Sequence, residues 1–67
     1  MLRIEIEQEE DGRWLAEIPA LPGVMAYGST EAEARAKTEA LALRVIADRI
    51  EHGERVPPEA RELFVLA

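Results

Sequence analysis

The chain has 67 residues and no cysteine, with 14 acidic against 8 basic side chains and a formal net charge of −6. A single domain (1–67) of this length buries only about 60% of its unfolded surface; with no cysteine for a disulfide or a Cys–His metal site, oligomerisation is the remaining common support. The acidic balance argues against direct nucleic-acid binding, which needs Lys and Arg to displace phosphate counterions, and favours a basic protein as partner.

The N-terminus goes straight into a strand pattern. Leu2, Ile4 and Ile6 alternate with Arg3, Glu5 and Glu7, the period-2 signature of a half-buried strand, and Trp14, Ala16 and Ile18 begin a second one. Nothing in this opening resembles a signal peptide, and no apolar run approaches the roughly 18 residues of a membrane span; a cytoplasmic location is expected. Register decides the loop between the strands. A two-residue Asp11-Gly12 turn sets Ile6 opposite Glu17, so the apolar faces disagree. A three-residue loop, Glu10-Asp11-Gly12 with Gly12 left-handed, sets Ile6 opposite Ala16, Ile4 opposite Ile18 and Glu9 opposite Arg13. Pro19 and Pro22 cannot donate to a ladder, so they end the second strand and turn the chain into a short third one, Val24 to Tyr27.

Gly28-Ser29-Thr30 then opens a helix. Thr30 with Glu33 three residues on fits a capping box, and Glu31 and Glu33 complement the positive end of the helix dipole. The helix is predicted from about Glu31 to Glu51 or His52, with Gly53 as the left-handed stop. Pro57-Pro58 is read as forbidding helix, Glu59-Ala60-Arg61 as a connection, and Leu63-Phe64-Val65-Leu66 as a closing strand. The expected class is α+β: β-β-β-α-β, an antiparallel sheet with one long helix on one face.

No constellation carries catalysis. Glu5 and Glu17 fall opposite each other with Glu7 one repeat along, as on the ordinary polar side of an antiparallel sheet; two-metal phosphoryl chemistry needs carboxylates converging on one point. His52, the one imidazole, suits a cap in the last helical turn. Asp48 has Arg44 four residues earlier, a surface-pair spacing. No Ser has a matching base, and the scattered glycines do turn duty. Neither enzymatic activity nor a cofactor or metal is expected.

One run of residues has a family look. Gly12-Arg13-Trp14 on a strand, Pro19-Ala20-Leu21-Pro22-Gly23, then Gly28-Ser29-Thr30 before an acidic helix start, and Gly53-Glu54 after a long helix, follow one another with no gap. This order resembles the N-terminal domain of the HicB-like antitoxin family over about two-thirds of the chain. The resemblance implies a partial ribonuclease-H-like fold and a partner, the HicA toxin, a small basic ribonuclease that degrades messenger RNA. Family members usually continue into a DNA-binding domain; this sequence ends at Ala67, so DNA binding is not carried over. The expected function is a stand-alone HicB-like antitoxin module that neutralises such a toxin by protein–protein contact. The alternative is an acidic homo-oligomeric scaffold or ligand-binding module with no toxin partner.

Two surfaces are expected to bind. Leu15, Met25 and Tyr27 share a sheet face with Glu5, Glu7 and Glu17, an apolar patch with an acidic rim that suits a small basic protein. On the helix, alignment with the HicB pattern places Ala34, Thr38, Leu41 and Val45 on the sheet, with Ala42 and Ile46 at the edge. A second stripe, Ala36, Ala40, Leu43, Ala47 and Ile50, repeats the same spacing on nearly the opposite side, where it suits self-association into a dimer or higher oligomer.

Overall fold

A computed structural model describes Met1–Ala67. Three strands, β1 (Glu5–Gln8), β2 (Trp14–Glu17) and β3 (Met25–Gly28), form an antiparallel sheet in the order β1-β2-β3. A long helix, α1 (Glu31–Glu51), packs on one face of the sheet, and a short turn of helix, α2 (Pro58–Arg61), follows. The architecture is α+β, as the periodicities require.

The first hairpin has the three-residue loop. Ile6 pairs with Ala16 and Glu5 with Glu17; Glu9 N–H donates to the Arg13 carbonyl at 2.7 Å, closing the loop. Gly12 sits at φ +92°, the left-handed corner that lets the strands leave in register. The second connection is a compact Pro19–Gly23 corner, in which Leu21 N–H donates to the Ile18 carbonyl and Val24 N–H to the Leu21 carbonyl, both at 2.9 Å. These bonds turn Leu21 inward, where it is fully buried.

Local signals set both ends of α1. Thr30 Oγ1 accepts from Glu33 N–H at 3.0 Å. The Glu33 carboxylate accepts from the backbone N–H and the hydroxyl of Ser29, each at 3.2 Å, so the box reaches one residue further back than its usual partner. At the other end His52 is the cap residue, its ring nitrogen 2.7 Å from the Asp48 carbonyl, and Gly53 follows at φ +68°.

Burial along α1 corrects the expected stripe. The fully covered positions are Ala34, Thr38, Ala42 and Ile46, whereas Leu41 and Val45 are half-buried at the flank. The reason is a wedge between helix and sheet. Near its N-terminus α1 comes so close to β3 that a Cβ on Gly28 would lie 2.5 Å from the Ala34 backbone nitrogen, and only small side chains fit there. Towards its C-terminus the gap is filled by Ile18, Leu21, Val24 and Ile46, with Val56 and Ala60 closing the end. Thr38 lies in the narrow part, fully buried, and its Oγ1 donates to the carbonyl of Ala16 in β2 at 3.1 Å, so the hydroxyl carries no unpaired polar atom into the core.

The closing strand does not form. Pro58 occupies the first helical position, where a missing N–H costs nothing, and starts α2 instead of forbidding helix. Ala60 is drawn into the core. Leu63 N–H and Phe64 N–H then bond back to the Ala60 and Arg61 carbonyls at 3.3 Å, using donors that a fourth strand needs for its ladder. Leu63–Leu66 are exposed, with Leu63 and Phe64 beside Leu43, Ala47 and Ile50 of α1.

Candidate functional site

Because side chains alternate across a strand, the pairing that turns Ile6, Ala16 and Ala26 towards α1 turns their neighbours outward. The outer face consists of rows running across the sheet. Glu7, Leu15 and Tyr27 make one row; Glu5, Glu17 and Met25 make the next. All six residues expected on this face are brought together there. Met25 and Tyr27 remain 44% and 41% exposed, large for apolar surface on so small a sheet. Glu5, Glu7, Leu15 and Glu17 line a shallow groove of about 90 Å³. Like charges opposite each other on a sheet are mildly destabilising, so the Glu5–Glu17 pair gains from any cation that settles over it.

A third row contains residues that the sequence reading passed over. Arg13 lies with its guanidinium carbon 4.3 Å from the centroid of the Tyr27 ring, a cation–π contact. Asp11 holds Arg13 there by a 2.7 Å ion pair. The Arg13 backbone N–H and then its side chain hold the Asp11 carboxyl below its ordinary value, and Asp11 in turn raises Arg13. The Tyr27 hydroxyl lies 3.4 Å from the Glu9 carboxylate. The signal was present in the register: Arg13 opposite Glu9 shares its face with Leu15, diagonal to Tyr27. Together these contacts gather Arg13, Asp11 and Glu9 around the Tyr27 ring at the hairpin end of the face.

The remaining candidates lie elsewhere. Ala36, Ala40, Leu43, Ala47 and Ile50 are all exposed on one side of α1, away from the sheet. Asp48 pairs with His52 at 3.4 Å, and the helix ion pairs are Arg35–Glu39 and Glu33–Lys37; the expected Arg44–Asp48 pair is not formed. No three His, Asp or Glu side chains converge as metal ligands, and no helix is long and apolar enough to cross a membrane.

Fold and face define a small α+β module: a three-stranded meander backed by one helix, with an apolar–acidic outer surface. The chain is 39% identical over 62 residues to the UPF0150 protein ssl0738 of Synechocystis sp. (strain ATCC 27184 / PCC 6803 / Kazusa), a match that covers 91% of this chain and 86% of that protein. It belongs to the UPF0150 family. No family-wide sequence profile and no solved structure matches it.

Proposed function

We propose that this chain is a protein-binding module whose outer sheet face covers a small basic ribonuclease of the HicA type, and that it has no catalysis of its own. The observation that carries the reading is the composition of that face: Leu15, Met25 and Tyr27 set among Glu5, Glu7 and Glu17 on a chain of net charge −6. Exposed aromatic and aliphatic side chains anchor a partner, while the acidic rim steers a basic one and orients its encounter. The sequence order resembling HicB supports the same partner. Arg13 over Tyr27 adds pre-organisation, since a ring already held in place loses less freedom on binding.

The test is inhibition of messenger-RNA cleavage by a purified small basic ribonuclease of the HicA type. The wild-type chain inhibits, association slows as salt rises, and the chain alone leaves RNA intact in Mg²⁺ or Mn²⁺. Tyr27→Ala weakens binding by about 30-fold, the effect of losing an aromatic anchor worth about 2 kcal/mol. Glu17→Lys slows association. Unchanged inhibition by both variants removes this surface from consideration, and RNA cleavage that Glu5→Gln or Glu17→Gln abolishes overturns the non-enzymatic reading.

A further inference from the structure

We propose that the free edge of β3 is the contact between two copies of this chain, paired antiparallel about a two-fold axis at Ala26, so that two three-stranded sheets join into one. Hydrogen-bond direction identifies the edge. Ile18 N–H donates to the Val24 carbonyl at 3.0 Å, so Ala16 and Ala26, two residues along on each strand, also form a hydrogen-bonded pair. Met25 and Tyr27 alternate with these positions and direct their N–H and C=O groups away from β2. β3 is the last strand of the sheet, and neither backbone finds a partner elsewhere in the chain. Open edges are ordinarily blunted by a charge, a proline or a bulge. β3 has none of these: Met25-Ala26-Tyr27-Gly28 contains no charge and no proline and pairs with β2 residue for residue.

Register and charge select a second copy as the occupant. With the axis at Ala26, Met25 lies opposite Tyr27 of the partner subunit, and the symmetry makes that pair twice. Every outward N–H and C=O of Met25 and Tyr27 is then used. On the outer face each Met25 side chain meets the partner's Tyr27, a favourable sulfur–aromatic pair of side chains that are exposed in the protomer. The other free edge, β1, fails the same test. Registers centred on Glu5, Ile6 or Glu7 all set glutamate opposite glutamate, and like charges facing across a ladder are destabilising. Behind the sheet, Glu39 and Leu43 mark the flank of α1 that meets Ile4. Leu41 and Val45, half-buried, lie on the opposite flank, beside β3. Pairing of the two β3 strands turns these flanks towards each other, so both helices close over the joined strands. The dimer does not depend on the toxin reading; if that reading holds, the two outer faces form one continuous surface.

The full chain, with no other protein added, tests the proposal. In sedimentation at micromolar concentration the wild type runs as a species of twice 7.5 kDa. In amide hydrogen exchange the N–H groups of Met25 and Tyr27 are protected about tenfold or more over those of Ile6 and Gln8, the free donors of β1. Ala26→Cys gives a chain with a single thiol. Across the axis its Cα lies about 4.5 Å from its copy, within disulfide reach, so mild oxidation yields a covalent dimer. Ala40→Cys, on the solvent side of α1, crosslinks far more slowly. Met25→Pro removes one donor from each copy, two hydrogen bonds in all, and weakens dimerisation by about 30-fold. It keeps the helical circular dichroism, because that N–H has no partner within the protomer. A monomeric wild type, equal exchange at the two edges, Ala40→Cys crosslinking as fast as Ala26→Cys, or a dimer unaffected by Met25→Pro overturns the proposal.

Discussion

Gly28→Ala tests how closely helix and sheet are built together. The added Cβ would lie 2.5 Å from the Ala34 backbone nitrogen and 3.0 Å from both Ala34 Cα and the Glu33 carbonyl carbon. Ordinary contact is about 3.5–4.0 Å, and the obstacle is backbone, which cannot swing aside as a side chain does. The N-terminal turn of α1 must retreat by about 1 Å, lifting Ala34 and Thr38 from β2 and stretching the Thr38–Ala16 hydrogen bond. Overpacking of this kind costs about 3 kcal/mol, against a total of roughly 3–10 kcal/mol for a domain of this length. With an unfolding entropy of about 2.1 cal/mol/K per residue, that loss lowers Tm by about 20 °C. Gly12→Ala is the control: nothing lies within 4 Å of its Cβ, and the penalty comes from φ +92° alone. That backbone strain costs about 1–2 kcal/mol, or about 7–14 °C. Thermal unfolding followed by far-ultraviolet circular dichroism, at one fixed protein concentration, ranks the two. If Gly28→Ala melts at or above Gly12→Ala, the close approach of α1 to β3 is wrong.

Two further expectations concern polar contacts. Thr38→Val keeps the shape but removes the buried donor to Ala16, so it lowers stability by about 1 kcal/mol in denaturant titration; an unchanged midpoint means that the hydroxyl contributes nothing. Lys37 first, then the N–H and hydroxyl of Ser29, hold the Glu33 carboxyl below its ordinary value. A depressed carboxylate stabilises the fold above its unfolded value of about 4.3 and loses that contribution as pH falls through the lower folded value. The acid limb of the Tm profile should therefore be shallower in Glu33→Gln than in the wild type between about pH 5 and pH 3; superimposable profiles detach Glu33 from the cap.

Local chemistry made much of this protein legible before any contact was known. The hairpin register followed from apolar alternation, since a one-residue slip turns Ile6 towards an acidic neighbour. Both ends of α1 followed from Thr30, Glu33 and Gly53, residues that act on backbone groups a few positions away. The same register placed all six expected face residues on one surface. Where the local pattern allowed neighbouring positions, tertiary packing chose. The side of α1 that meets the sheet was as expected, but packing centred the buried stripe on Ala34, Thr38, Ala42 and Ile46 and left Leu41 and Val45 half-buried at the flank. Leu63-Phe64-Val65-Leu66 has strand composition, but a strand exists only with a partner; the burial of Ala60 in α2 carried the chain along the helix instead. The Arg13–Tyr27 contact joins residues on neighbouring strands and depends on where a long side chain comes to rest. Properties that act over a few bonds were written in the sequence, and those that depend on what lies across a gap were decided only when helix met sheet.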